Sequence, residues 1–445
     1  MGALTPPSAG RLPAPMIAAF CALVLVFDGY DVSVFATTIP ALLQYEPWGL
    51  NAAELGFIAS LALIGMLIGS LLCGFATDVL GRKLMLMASS GWFSLCMAVC
   101  AFAPTATVFG IFRFLAGLGL GGVMPTAIAL AVEFAPKARR NVVNMVLTAG
   151  FMVGTLFAAL LGIVIIEAYG FRPMYVIAAL PLLLLPVAWF VLPESIQYLV
   201  SKGRLDEARA VAARYGVEVA EGPRPDAVRR SPLRSLARRP LWGFLIVFGI
   251  GGLVVQLLMY GLNTWLPQLM RMEGYPLGSA LSFLATMSLG AIAGGLVMSW
   301  AADRSHPRLL VLLGFGIGVV ALVVLASGPS TVVLYVAVAL AGVGGSGTAA
   351  ILNGYVATWF PTTVQASALG TYFTIARLGG ILGPIAGGWI IAAGLPVAWT
   401  FYALLVPTAI GVLLVFVMPR SHAYVGDALA DGAEPPTGRT VVDAS

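Results

Sequence analysis

Residues 16–43 read MIAAFCALVLVFDGYDVSVFATTIPALL. A helix of that length reaches roughly 40 Å at 1.5 Å per residue, more than the ~30 Å hydrocarbon core of a bilayer. The stretch shows no strand-like alternation, and its only charges are Asp28 and Asp31. Eleven more apolar runs follow, at about 54–76, 84–103, 106–131, 142–166, 173–192, 241–266, 279–301, 308–327, 331–354, 364–392 and 396–418. In lipid no water bonds to the backbone, so each run must satisfy its own N–H and C=O groups and is read as a helix. The expected fold class is all-α integral membrane, with twelve transmembrane helices.

Composition points the same way. Apolar residues make up 60% of the 445 and charged residues 10%, against about 45–50% and 25% in soluble domains. This excludes a soluble globular enzyme, a disordered chain and a nucleic-acid binder. Cys21, Cys73, Cys96 and Cys100 all lie in apolar runs and read as small packing residues. His306 and His422 fall in a loop and a tail, so neither a metal site nor an intramembrane nucleophile–base pair is expected.

Charge asymmetry orients the chain. With a cytoplasmic N-terminus, 20 of the 24 Lys and Arg lie on the tails and inner loops. The outer side holds Arg172 and Arg271, and two cations, Arg113 and Arg377, lie inside helices. Such a bias satisfies the positive-inside rule. The expected organisation is a cytoplasmic tail at 1–15, a six-helix bundle at 16–192, a cytoplasmic linker at 193–240, a second bundle at 241–418 and a tail at 419–445. The first tail is Pro-rich and lacks the basic n-region of a signal peptide. The linker carries a helical-looking stretch, Ser201–Tyr215, then a Pro/Arg-rich stretch at 222–240. Its basic residues read as facing anionic lipid.

The halves are related by a shift of 225. Asp78 falls on Asp303, Lys83 on Arg308, Gly65 and Gly69 on Gly290 and Gly294, Gly117 and Gly119 on Gly342 and Gly344, Pro136 on Pro361, and Gly154 and Gly162 on Gly379 and Gly387. A duplicated six-helix unit is a transporter signature, because two like halves can rock about a site between them.

Between runs 2 and 3 stands Gly74-Phe-Ala-Thr-Asp78-Val-Leu-Gly81-Arg82-Lys83. The pattern G-x-x-x-D-x-x-G-R-K resembles the loop signature of the major facilitator superfamily, with Val79 where a basic residue usually stands. The second copy, Ser299-Trp-Ala-Ala-Asp303-Arg304, is degenerate in its Gly position but keeps the basic residue after Asp. The resemblance implies a 6 + 6 pseudo-symmetric bundle. Asp78 beside basic groups and helix ends would act as a charge latch on an inner gate, or simply as a tight topology-fixing turn. Glu133, with Arg139 and Arg140 just after it, joins that latch or forms an exposed ion pair. Pro193-Glu194-Ser195, also similar to a superfamily element, would belong to the same cytoplasmic network.

Asp28 and Asp31 lie about 18–22 Å along the first helix, near the bilayer midplane. Their i, i+3 spacing puts them on one face, and a charged Asp there costs about 2.5–3.5 kcal/mol. Two readings fit. Either they pair with Arg and brace helices, or they form a proton site, since burial and a nearby carboxylate favour the neutral form while an Arg favours the ionised one. Arg377 has no charged repeat mate, Met152 standing in its place. It is the candidate anchor for a substrate carboxylate, which a guanidinium binds bidentately. Arg113 either shares that role or pairs with Asp28 or Asp31.

Asp28-Gly29-Tyr30-Asp31 is similar to the motif of the aromatic acid:proton symporter family. Arg113-Phe114-Leu-Ala-Gly117-Leu-Gly119-Leu-Gly121-Gly122 and Arg377 match the same family. The resemblance implies proton-driven uptake of hydroxybenzoates or related aromatic carboxylates, with roles for Asp28, Asp31, Arg113, Glu133 and Arg377. It implies no cofactor beyond the proton gradient. The partners it implies are a small organic anion, protons and the lipid bilayer, with a monomer in a bacterial-type cytoplasmic membrane. An aliphatic-acid symporter and a proton-antiport drug exporter are the competing readings. Tyr30, Tyr260 and Asn263 are candidate substrate contacts. Trp265, near an outer helix end, reads as an interfacial anchor. The Gly runs read as close helix packing, because they lack a phosphate loop's strand and polar context.

Overall fold

The computed structural model describes residues 14–136, 139–217, 241–302, 304–328, 330–361 and 364–419. Twelve helices are long and apolar enough to cross a membrane: span 1 (Pro15–Leu43), span 2 (Ala52–Leu80), span 3 (Arg82–Ala101), span 4 (Ala106–Glu133), span 5 (Val142–Tyr169), span 6 (Arg172–Phe190), span 7 (Leu241–Met272), span 8 (Leu277–Ala302), span 9 (Pro307–Ala326), span 10 (Thr331–Trp359), span 11 (Ser367–Ala392) and span 12 (Val397–Val415). No strand occurs among the described residues. Large apolar side chains such as Phe190, Val332 and Leu413 stand on the outside of the bundle. A surface so apolar is covered by lipid, not water.

Local chemistry sets the boundaries. Asn51 and Glu54 form a capping box at the start of span 2, with Asn51 N–H donating to Glu54 Oε2 at 2.8 Å and Glu54 N–H to Asn51 Oδ1 at 3.0 Å. Gly81 alone separates spans 2 and 3, at φ +90, a conformation that favours glycine. Two interruptions escape the apolar pattern. Span 6 is built from helices Arg172–Ala178 and Pro181–Val191, because Pro181 has no N–H to continue the first. Span 10 widens into a π-helical turn at Val343–Gly347.

The repeat seen in sequence is reproduced in the packing. A Cβ on Gly65 would sit 2.2 Å from the Phe114 carbonyl oxygen, and one on Gly117 2.1 Å from that of Ala62. The same shift of 225 relates these to Gly290 against Ala339 O at 2.2 Å and Gly342 against Met287 O at 2.3 Å. Spans 2 and 4 thus cross as spans 8 and 10 do, backbone against backbone. Side chains larger than hydrogen would force them apart.

The two bundles meet where span 1 packs on span 7, span 2 on span 11 and span 5 on span 8. Contact is tightest on the side of loop 44–51. There a Cβ on Gly56 would lie 2.5 Å from the Pro384 carbonyl oxygen, and one on Gly388 2.6 Å from that of Ala52. Ser60 Oγ also donates to Ile381 O at 2.7 Å across the halves. Trp265 is fully buried here, and its indole Nε1 donates to Pro384 O at 2.8 Å. It is part of this seal and not an interfacial anchor. The polar end of its ring finds a partner on span 11, and its body fills the space left by Gly387.

Candidate functional site

Asp28, Asp31 and Arg113 are all buried, at 1, 2 and 3% exposure. Arg113 Nη1 donates to Asp31 Oδ1 in an ion pair joining spans 1 and 4. The same guanidinium lies over the Phe35 ring, 5.4 Å from its centroid, and points Nη1 toward Met97 Sδ at 3.7 Å. This arrangement is internal to the first bundle. Asp28 is different: its Oδ1 accepts no hydrogen bond from any described residue. It lies within electrostatic reach of Asp31 and, across the interface, of Arg377.

Arg377 projects from span 11 to span 2. Its Nη1 donates to Met66 O at 2.8 Å and to Ser70 Oγ at 3.0 Å. A guanidinium carries five N–H groups, and these two bonds use one nitrogen. Tyr260 on span 7 feels the charges of both Arg377 and Asp28. Asn263, one turn further on, donates from Nδ2 to Ser33 Oγ at 3.3 Å. Spans 1, 7 and 11 thus meet around Tyr260 and Asn263: Asn263 bonds Ser33 of span 1, and a Cβ on Gly380, one turn beyond Arg377 on span 11, would sit 3.2 Å from the Tyr260 ring.

Tyr260 and Asn263 line a cavity between the bundles whose other walls include Phe151, Met152 and Thr155 of span 5, Ser288 of span 8 and Ser346 of span 10. The lining is largely apolar with a few hydroxyl and amide groups, the usual make-up of a small-molecule site. Met152, the repeat mate of Arg377, faces this cavity, so the duplicated unit has diverged to charge on one side and thioether on the other. Thr155, Ser288 and Ser346 are not conspicuous in the sequence, because lone hydroxyls in apolar helices usually bond their own backbone. The one hint is the Gly-rich stretch around Ser346.

Tyr30 does not reach the cavity. Its hydroxyl donates to the Met174 carbonyl of span 6 at 3.0 Å, and the ring is buried inside the first bundle. Its neighbours Asp28 and Asp31 point elsewhere because a helix advances about 100° per residue.

At the other end of spans 2 and 3, Arg82 Nη1 pairs with Glu133 Oε2 at 3.0 Å and Arg82 Nη2 donates to Gln197 Oε1 at 2.8 Å. Gln197 N–H returns to Glu133 Oε1 at 2.7 Å. Lys83 N–H donates to Glu194 Oε1 at 3.2 Å, and Lys83 Nζ to Trp189 O at 2.7 Å. These contacts tie the loop at Gly81 to span 4 and to helix Ile196–Ser201, within one bundle. Asp78 is exposed and forms no ion pair with a described residue, and Gly74 lies inside span 2 facing open space. Arg139 is exposed ahead of span 5, and Arg304 stacks on Trp300 at 4.1 Å. Asp303, the tail at 1–13 and the stretch at 222–240 lie outside the described residues.

The arrangement is that of a two-bundle solute carrier. A model of the Major Facilitator Superfamily matches residues 21–328 and 279–437. The benzoate transport protein of Acinetobacter baylyi is 33% identical over 90% of this chain and 89% of its own length. The gentisate transporter of Corynebacterium glutamicum is 36% identical over 92% of this chain and 88% of its own. A bacterial homologue of the human lysosomal transporter Spinster, solved in an inward-facing conformation, superposes with a TM-score of 0.72 at 17% identity, covering 92% of this chain and 97% of that one. That likeness concerns the fold alone. The chain belongs to the Major Facilitator Superfamily and, within it, to the aromatic acid symporter family. It is a multi-pass membrane transporter and not an enzyme.

Proposed function

We propose that this protein imports an aromatic carboxylate together with protons by alternating access, as a monomer in a bacterial cytoplasmic membrane with both termini inside. The observation that carries this reading is Asp28: a buried carboxylate in span 1 with an unpartnered oxygen, within electrostatic reach of Arg377 in the other half. A charge at that depth costs about 2.5–3.5 kcal/mol, which favours a group that takes up a proton or meets a cation during the cycle. Relatives that carry benzoate and gentisate support an aromatic acid as the cargo.

In this cycle the substrate carboxylate binds the nitrogens of Arg377 that Met66 and Ser70 leave free. Its ring enters the apolar cavity beside Tyr260 and Asn263. Arg377 thereby loses its influence on Asp28, which takes a proton, and the neutral site can close. Arg113 and Asp31 neutralise each other and brace spans 1 and 4. With loop 44–51 outside, the close approach at Gly56 and Gly388 would seal the outer side. Asp78 is then a latch undone, ready to engage the other half when the inner side closes. No cofactor takes part, and the proton gradient supplies the work.

The test is substrate-driven proton movement in proteoliposomes. Adding 4-hydroxybenzoate outside should alkalinise the outer medium beyond the change in protein-free liposomes. Acidification would indicate antiport. Movement with aliphatic but not aromatic acids would reassign the cargo.

A further inference from the structure

Arg377 reaches out of its own bundle, and its contacts continue those of the seal. Three rungs run in order along spans 2 and 11, which belong to opposite halves. A Cβ on Gly56 would meet Pro384 O, Ser60 Oγ donates to Ile381 O, and Arg377 Nη1 donates to Met66 O and Ser70 Oγ. Positions ascend on span 2 as they descend on span 11, so the rungs belong to one antiparallel crossing. The Arg377 rung is the furthest from loop 44–51. It exists only while the two spans are packed together.

Ser70 is prepared as an acceptor. Its Oγ gives its one proton to Leu67 O at 2.9 Å, a turn back on the same helix. Only lone pairs are left for Arg377. Met66 O is a second acceptor for the same nitrogen. The cavity between the bundles is lined by Tyr260 and Asn263 and not by Arg377. The guanidinium is thus held on the neighbouring half, beside the cavity and outside its lining.

We propose that Ser70 is a positioning residue for release: with Met66 O it captures one arm of Arg377 as the outer side seals, and so loosens the hold on the cargo carboxylate. This rests on the anchor role proposed above for Arg377 and adds what slackens that anchor. A free guanidinium offers a carboxylate two forks, Nη1 with Nη2 or Nε with Nη2. With Nη1 bound to span 2, only the second remains, and its place is fixed by span 2 rather than by the cargo. Parting of spans 2 and 11 withdraws both acceptors and restores both forks. Affinity is then higher where cargo is captured and lower where it is released. Neutral acceptors suit this task. A hydroxyl and a carbonyl bind a cation more weakly than a carboxylate does, so they compete with the cargo without keeping Arg377 for good.

Right-side-out and inside-out membrane vesicles present the two faces separately, and KM for 4-hydroxybenzoate exchange is measured on each. Wild type should show the higher KM on the inner face. Ser70→Ala should lower the inner KM about fivefold and leave the outer one within about twofold. Ser70→Thr keeps the hydroxyl and should retain the wild-type ratio. A Ser70 that merely fastens the seal predicts the opposite sign, because its loss shifts carriers toward the outward form and raises the inner KM. That result, an unchanged ratio in Ser70→Ala, or a wild-type inner KM no higher than the outer one overturns the inference and leaves the anchor role of Arg377 standing. Absence of wild-type exchange on both faces ends the aromatic-acid reading, and this inference with it. Should Ser70→Ala not reach the membrane, Ser70→Cys, whose sulfur is a weak acceptor, takes its place with the same expected fall, and an unchanged ratio there overturns the proposal equally.

Discussion

Replacing Asp31 by Asn should damage stability far more than replacing Asp28, although the two stand three residues apart on one helix. Arg113 is 3% exposed, its Nη1 is bonded to Asp31, and its Nε already lacks a partner. Removing the Asp31 charge leaves a guanidinium buried in span 4 without compensation. Breaking one side of a buried pair costs about 3–5 kcal/mol. For a bundle of this size that lowers the melting midpoint by roughly 10 °C. Asp28 makes no such pair, so Asp28→Asn removes an unpartnered buried carboxylate and should leave the midpoint within about 2 °C of wild type. The double variant Asp31→Asn/Arg113→Met removes both charges and should recover more than half of the loss, because the two effects are coupled. Scanning fluorimetry of detergent-purified protein gives the midpoints, and whole-cell uptake gives function. Asp28→Asn should retain its fold yet lose uphill accumulation. A stable Asp31→Asn protein together with an unstable Asp28→Asn protein would refute the assignment of brace and proton site.

Two further outcomes follow from the same geometry. Arg377→Ala should abolish uptake with protein still in the membrane, and Arg377→Lys should rescue it only weakly, since an ammonium cannot hold a carboxylate bidentately; uptake assays paired with membrane immunoblots decide, and wild-type uptake by Arg377→Ala would remove Arg377 from the site. Gly56→Leu places a side chain where a Cβ alone would stand 2.5 Å from Pro384 O, so the seal beside loop 44–51 should fail to close; the expected result is loss of transport with a cysteine introduced near Ala52 newly reactive from outside, and an unreactive cysteine would count against that seal.

Much of the fold is legible in order along the chain. Twelve apolar runs of helix-spanning length, without strand-like alternation, dictate twelve helices because each run must satisfy its own backbone in lipid. Lys and Arg asymmetry predicts an orientation, and the 225-residue shift identifies the duplication that reappears as matching glycine crossings. Charges in oil also stand out from sequence, since their cost makes accident improbable. Pairing does not. Asp28 and Asp31 have the same chemistry and the same helix, and only the way span 4 crosses span 1 decides that Arg113 reaches one of them. Tyr30 is excluded from the cavity by a rotation that no residue type encodes. Thr155 and Ser288 become neighbours of one cavity only when spans 5 and 8 pack, bringing together residues 133 positions apart. Composition and pattern act locally and so determine elements, depth and duplication. Which side chains face one another depends on helix rotation and crossing, which arise from packing along the whole length of each helix.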